Sequence, residues 1–392
     1  MSRLKALRLY YFAIFAALGL YLPFFPPWLE ARGIEGFAMG IVAAAFPAMS
    51  IVGPPAFGLL ADALRLRGSL LRVACLGTFV AFAFLAGSSL TDRPLGFVGI
   101  LCTVLVFAFF RSPMVMMADV LALEHAAASA TPYPRIRLWG SVGFLVAATT
   151  AGWAIDPTGA SLLPLSLAAV LFLALIVSFA LPTRAALRPL VQSAPGQIRR
   201  LAWSAEFRLF LAASFLGQAA HSAYDLTYSL HLRDLGFTGS MVGIAWAIGV
   251  IAEIALMAFS SRLSAAISPP WLLAFALLGA SVRWAILALV RSPLILLSLQ
   301  PMHALSFGLM WIASMAFVKS RAAPQNLATV QGIYVATIGG ASVTGMLLWG
   351  PLYRSAGGAT TFAAAAAVAL AAAAMAALFA KKPRIILQEA PG

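Results

Sequence analysis

Twelve stretches of the chain stay predominantly apolar for twenty residues or more, and no other feature constrains the fold as tightly. They cover residues 7–29, 37–61, 69–90, 95–121, 136–155, 160–181, 207–232, 238–262, 270–290, 293–318, 327–353 and 359–380. A helix needs about 20 such residues to cross the hydrocarbon core of a bilayer. Glycines, prolines and charge clusters separate the runs, and no room is left for a soluble domain. Composition agrees: the chain is 62% hydrophobic and 10% charged, whereas a soluble domain is about half apolar and about a quarter charged. The chain therefore reads as an all-α integral membrane protein with twelve transmembrane helices. The first run is too long for a signal-peptide core and lacks a small-residue cleavage site, so it reads as a retained helix. Cys75 and Cys102 both fall inside apolar runs, which argues against a disulfide framework.

The net charge of +14 could point to nucleic acid, but its distribution points to topology. With an even helix count and both termini on the cytoplasmic side, eighteen of the 26 Lys and Arg residues fall on that side and five on the other. That asymmetry follows the positive-inside rule. It predicts a multi-pass protein of the cell inner (cytoplasmic) membrane with no nucleic-acid partner. The remaining three, Arg111, Arg137 and Arg283, lie within or at the edge of the apolar runs.

The longest polar stretch, "TRAALRPLVQSAPGQIRRLAWSAE" at 183–206, divides the chain into two six-helix halves, 1–182 and 207–392. An internal repeat supports the division. "LEARGIEGFAMGI" at 29–41 and "LRDLGFTGSMVGI" at 232–244 share five identities at a constant offset of 203 residues. These are Leu29, Gly33, Gly36, Gly40 and Ile41 with Leu232, Gly236, Gly239, Gly243 and Ile244. Each copy joins the first helix of its half to the second. Repeated halves of this kind build transporters, with the binding site at midplane between the repeats.

Further stretches carry a resemblance to a known family. They are "YYFAIFAALGLYLPFFPPWLEARG" at 10–33, "GLLADALRLR" at 58–67, "RIRLWGSVGF" at 135–144, "GVIAEIALMAFSSRL" at 249–263, "SVRWAILAL" at 281–289 and "HALSFG" at 303–308. Together they resemble the major facilitator superfamily, in the branch of phenylpropionate permeases and proton–nucleoside symporters related to lactose permease. The resemblance implies two pseudo-symmetric six-helix halves and proton-coupled transport by alternating access. In the loop between helices 2 and 3, Gly58 and Asp62 match the superfamily signature and Arg67 fits a later basic position, but Ala63 replaces a basic residue.

Ionisable residues inside the runs are the candidates for function. A charge at a helix centre costs about 2.5–3.5 kcal/mol on insertion scales, so such residues normally face a polar interior and mark solute or ion pathways. The runs hold Arg111, Arg137 and Arg283 against Asp119, Asp225 and Glu253, with His221 and His303. Equal numbers of each sign lead us to expect mutual compensation around a cavity. Arg111 and Asp119 lie eight residues apart, about 12 Å along the helix, and cannot pair directly. The resemblance implies that Asp119 on helix 4 pairs with Arg137 on helix 5 in the solute site. Arg111 could hold a solute carboxylate or neutralise Asp225.

On helix 7, His221, Tyr224, Asp225 and Tyr228 recur at spacings of three and four and so share a face. The related permease pairs its helix-7 aspartate with a helix-11 lysine, but helix 11 here has no lysine, so Asp225 must use Arg111, Arg283 or a histidine, or be protonated. The expected solute-binding set is thus Arg111, Asp119, Arg137, His221, Tyr224 and Asp225. Glu253 on helix 8, Arg283 on helix 9 and His303 on helix 10 resemble a proton-coupling cluster. Here Ser306 stands where the related permease has a glutamate, and Trp311 replaces the branch's second helix-10 histidine.

Other classes lack their apparatus. No GxxxxGK[ST] loop is present for ATP, no HExxH or GxSxG for catalysis, and the four histidines show no metal spacing. We therefore expect no catalytic residues, no cofactor and no metal. The partners expected are a small organic solute (an aromatic acid, nucleoside, sugar or siderophore), protons and the lipid bilayer, with the monomer as the working unit. A proton-driven efflux antiporter, and a non-transporting membrane sensor, are the alternative functions.

Overall fold

A computed structural model describes residues 2–64, 67–91, 94–129, 131–158, 161–182, 195–323 and 326–380. Linker residues 183–194, with Arg184 and Arg188, lie outside it, as do Arg65, Arg93, Lys381, Lys382 and Arg384. The side chains of Asp62, Ala63 and Arg67 are likewise outside the described set.

The described residues are helical, without a strand. The helices are α1 (Arg3–Glu30), α2 (Gly36–Leu64), α3 (Arg67–Ser89), α4 (Phe97–Ala127), α5 (Tyr133–Thr158), α6 (Leu163–Ser178) and α7 (Pro195–Trp203). After them come α8 (Ala205–Asp234), α9 (Gly239–Ala258), α10 (Ser260–Ala266), α11 (Pro269–Leu289), α12 (Pro293–Ser298), α13 (Met310–Arg321) and α14 (Leu327–Ala380). Backbone donors in hydrocarbon must be satisfied within the segment, and a helix satisfies them without a partner. Side-chain caps mark several entries: Ser2, Ser204 and Thr238 accept from the backbone N–H groups of Lys5, Phe207 and Met241.

Nine of the described helical segments are long and apolar enough to span a membrane. α14 is two spans in one. At about 1.5 Å per residue its 54 residues would reach far beyond any bilayer. Gly357, at φ 74° and ψ 177°, turns it back in a backbone region that only glycine enters at low cost. With the shorter apolar α6 and the more polar α8, the architecture is consistent with twelve passes. Within the segment expected as the linker, α7 forms over Pro195–Trp203. Leu201 of α7 is buried while Trp203 is 70% exposed beside exposed Arg199 and Arg200, as suits a helix lying along an interface.

The buried core has an asymmetric shape. One cluster joins residues of α1–α6, such as Phe25, Phe82 and Phe144, to residues of α8–α14, such as Tyr224, Trp284 and Trp349. Toward the end that holds the chain termini this single core divides in two. Tyr10, Met114 and Ile136 belong to one branch, and Phe210, Phe317 and Phe379 to the other. The molecule is therefore sealed at the Gly33/Gly236 end and cleft at the opposite end.

Glycines make the seal. A methyl group on Gly40 would strike the carbonyl of Met346, and one on Gly350 would strike that of Gly36, so α2 crosses α14 at backbone contact. In the same way Gly243 meets the carbonyl of Ala148 and Gly152 meets that of Gly239, where α9 crosses α5. Such small-residue seams bring helices close where lipid supplies no hydrophobic drive. Four of the repeated glycines, Gly36, Gly40, Gly239 and Gly243, are thus positions where the first six helices touch the last six. The motifs match in hydrogen bonding too: Ile34 N–H donates to Leu29 O at 3.0 Å, and Phe237 N–H to Leu232 O at 2.9 Å.

Candidate functional site

The cleft is walled by α1, α4 and α5 on one side and by α8, α9, α11 and the α12–α13 segment on the other. The buried ions are distributed differently from the pairing expected. Asp119 does not pair with Arg137: its Oδ1 accepts from the Tyr11 hydroxyl at 2.5 Å and the Tyr133 hydroxyl at 3.0 Å. Arg137 instead lies over the Phe15 ring, 3.8 Å from its centroid, and 5.6 Å from that of Tyr11. The side chain leans back over Gly140, where a Cβ would crowd its Nη1. The two residues share Tyr11 but not an ion pair.

Arg111 does not neutralise Asp225. It is 4% exposed and donates to Ile14 O at 3.5 Å, with Nε unpartnered. Its neighbours are Tyr10, Cys75 and the positive charge of Arg137. Of the two roles expected for Arg111, neutralising Asp225 does not fit this placement.

The other wall gathers six of the expected residues into one network. Arg283 is fully buried and donates through Nη2 to Gln300 Oε1 at 2.8 Å and through Nη1 to Ser306 Oγ at 3.0 Å. The same Nη1 lies 3.2 Å from His303 Nδ1. The guanidinium also sits over Tyr224 and Trp284, 4.3 and 4.8 Å from the ring centroids. His303 Nε2 approaches Glu253 at 3.7 Å, and His221 Nε2 approaches Asp225 at 3.6 Å. Tyr224 stacks on Tyr228 at 4.4 Å and packs against Trp246 at 4.9 Å. His221, Tyr224, Asp225 and Tyr228 do present one face.

Local backbone explains how three residues of one segment reach one arginine. Between α12 and α13 the chain passes through a 3₁₀ turn at Gln300–Met302 and a π-helical stretch at Ala304–Leu309. In a regular helix Gln300, His303 and Ser306 would rotate progressively away from a common partner. The 3₁₀ turn, at three residues per turn, stacks Gln300 beneath His303, and a π-helical stretch, frequent at functional sites, follows it. Gly249 and Gly308 supply the room, since side chains there would crowd His303 and Glu253.

A rule emerges among the described residues. Each buried arginine is held by neutral groups, and each buried carboxylate by a tyrosine pair or a histidine. Nearest to exceptions are Arg137 with Glu253 and Arg283 with Asp225, whose charges reach one another without an ion pair. Along the α5/α9 seam Gly152 faces Gly239, Ala148 faces Gly243 and Phe144 faces Trp246 at 6.5 Å. Continuing that antiparallel step places Glu253 level with Arg137, and Arg137 is the charged group whose field reaches Glu253. Here Glu253 approaches His303 at 3.7 Å instead, and Arg137 lies over Phe15.

Sequence reasoning missed Tyr11, Tyr133 and Gln300. Gln300 carried the one legible signal, a polar amide in an apolar run; it is fully buried and also lies 3.4 Å from the Tyr224 hydroxyl. No cluster of His, Cys, Asp or Glu able to hold a metal occurs among the described residues.

The comparisons agree with this architecture. The profile of the MFS_1 like family matches residues 4–364. A probable 3-phenylpropionic acid transporter of Escherichia coli (strain K12) is 29% identical over 367 residues, covering 90% of this chain and 91% of the relative. A maltose permease of Geobacillus stearothermophilus is 32% identical over 295 residues, covering 72% and 70%. The crystal structure of a mutant of the nucleoside transporter NupG superposes with a TM-score of 0.85 at 17% identity, covering 97% of this chain and all of that one.

Proposed function

The chain belongs to the MFS_1 like family, a secondary transporter and not an enzyme, and from that premise we propose a proton-coupled symporter that imports a ring-bearing organic acid. The observation that carries this reading is the separation of buried charges. Arg111 and Arg283 are buried, and Arg137 half-buried, without a carboxylate at ion-pair distance, and burying a cation is costly unless an anion joins it. A solute carboxylate supplies that anion, and the mutually packed Tyr224, Tyr228, Trp246 and Trp284 rings beside Arg283 offer aromatic surface for its ring. A neutral sugar would leave the cations unmatched. The name of the Escherichia coli relative supports the same class.

Residues 1–182 and 207–392 rock against each other, with the termini in the cytoplasm and the present conformation open inward. Asp119, Arg111, Arg137, His221, Tyr224 and Asp225 face the solute, while Glu253, Arg283 and His303 handle the proton. Burial favours the neutral carboxyl and a nearby guanidinium favours the ionised one. Closure of the inner end along the α5/α9 seam brings Arg137 toward Glu253, so the field at this carboxyl changes between conformations. The unit is a monomer in the inner membrane.

The test is uptake of 3-phenylpropionate, uridine and maltose into proteoliposomes under an inward proton gradient. Accumulation of the aromatic acid, abolished by Glu253→Gln while solute exchange persists, is the expected result. Exchange needs no proton release, so uphill accumulation by that variant removes Glu253 from the role. Depletion of solute under the same gradient would establish the efflux antiporter instead, and binding without transport the sensor.

A further inference from the structure

Arg233 donates from Nη1 to Glu30 Oε2 at 3.1 Å, and the two residues are 203 positions apart. That separation is the offset of the internal repeat itself. Glu30 follows Leu29 and precedes Gly33 by three positions; Arg233 follows Leu232 and precedes Gly236 by three. The glycines have matching positive φ values of 72° and 84°, so the two chain turns superpose. An operation that carries position 30 onto position 233 carries 233 back onto 30. Two such positions in contact must therefore straddle the pseudo-two-fold axis, as a residue at a two-fold dimer interface meets its own copy.

This placement has an electrostatic consequence. Had both repeats kept the same charged residue, like charge would face like charge on the axis. The sequence keeps the flanking identities and departs at this position, one copy acidic and the other basic. The only other ion pair among the described residues that joins the first six helices to the last six, Glu35 with Arg354, lies at the same end. At the opposite end the pairs stay within one set of helices: Arg3 with Glu124, and Arg321 with Glu206.

We propose that Glu30 and Arg233 form an axial latch that holds the outer mouth shut and must break for solute to enter. The latch acts on orientation and touches no solute in the present state, so both are positioning residues. The proposal rests on the alternating-access reading, but its readout needs neither solute nor proton gradient, so failure of one is distinguishable from failure of the other. Because the two positions are equivalent, exchanging the residues rebuilds the same contact.

The test places nitroxide labels at Leu90→Cys and Leu289→Cys, exposed at the outer ends of α3 and α11, after replacing Cys75 and Cys102 by Ala. Distances across the mouth are then read by pulsed electron resonance in lipid nanodiscs. Glu30→Arg and Arg233→Glu should each raise the open-mouth population on the order of twofold to fivefold, the range expected for a partly exposed pair. The double exchange Glu30→Arg with Arg233→Glu should return it to the original value. Raising salt to about 1 M, where the screening length falls to roughly 3 Å, should open the parent but not the neutral variant Glu30→Gln with Arg233→Gln. Unchanged distances in the single variants, or an exchange variant that melts normally yet stays open, would overturn the proposal. If the charge-reversed proteins fail to fold, the neutral variant decides: a mouth as closed as the parent's at low salt overturns it.

Discussion

At the scale of single residues, Arg283 shows why its side chain has no substitute. Its planar fork meets Gln300, Ser306 and His303 while its face lies on Tyr224. A lysine offers a point charge with neither fork nor face. Arg283→Lys should lower the initial rate of proton-driven uptake by about 10- to 100-fold, the equivalent of one hydrogen bond to a charged group. Asp119 gives the opposite lesson about Arg137. Because Tyr11 and Tyr133 hold the acid, Arg137→Ala strands no charge, and its melting temperature should stay near that of the parent while accumulation falls. Tyr11→Phe removes a donor from the carboxylate and should destabilise the fold by about 1.5–3 kcal/mol, measured by thermal unfolding in detergent. A larger loss for Arg137→Ala than for Tyr11→Phe would restore the ion pair first expected.

At the scale of elements, the decisive features are helix crossings and one helix break. Gly40 and Gly243 occupy equivalent repeat positions, and a side chain at either meets backbone of the other set of helices, which cannot yield as a flexible side chain would. Gly40→Val and Gly243→Val should therefore wedge the outer end open. Increased outer-mouth distances by the same spin-label pair, with loss of uptake, are the expected outcome; closed-state distances would mean that the seam is not what seals the mouth. Gly357→Ala tests the break in α14. Its backbone lies in territory that costs other residues about 1–3 kcal/mol, so stability should fall by that amount without a change in the helix content seen by circular dichroism.

For the whole molecule, the division of one core into two at the end bearing the termini is what makes a cleft. Hydrophobic packing, glycine seams and the cross-pair Glu30–Arg233 all act at the other end, so the conformation is set by where contacts are and not by any one of them. The walls of the cleft are unlike in charge chemistry, with two of the arginines on α4 and α5 and the third in the α11 network. Under the proposed alternating access, a sealed Gly33/Gly236 end is exchanged for a sealed opposite end, and the α5/α9 seam is placed to take part in both.

Much of this was determined by sequence alone, and the reason is the solvent. A bilayer imposes length and apolarity on every span, so the helices, their number and the repeated glycine motifs could be read along the chain. The ionisable candidates could be read too, because a charge in hydrocarbon stands out. Their partners could not. Whether Asp119 meets Arg137 or two tyrosines depends on side-chain direction across α1, α4 and α5, and no spacing within one helix records that. The 3₁₀ turn and π-helical stretch that carry Gln300, His303 and Ser306 are equally silent in the sequence. That Glu30 would touch Arg233 required the two halves to be placed together, because an axis of symmetry exists only between them.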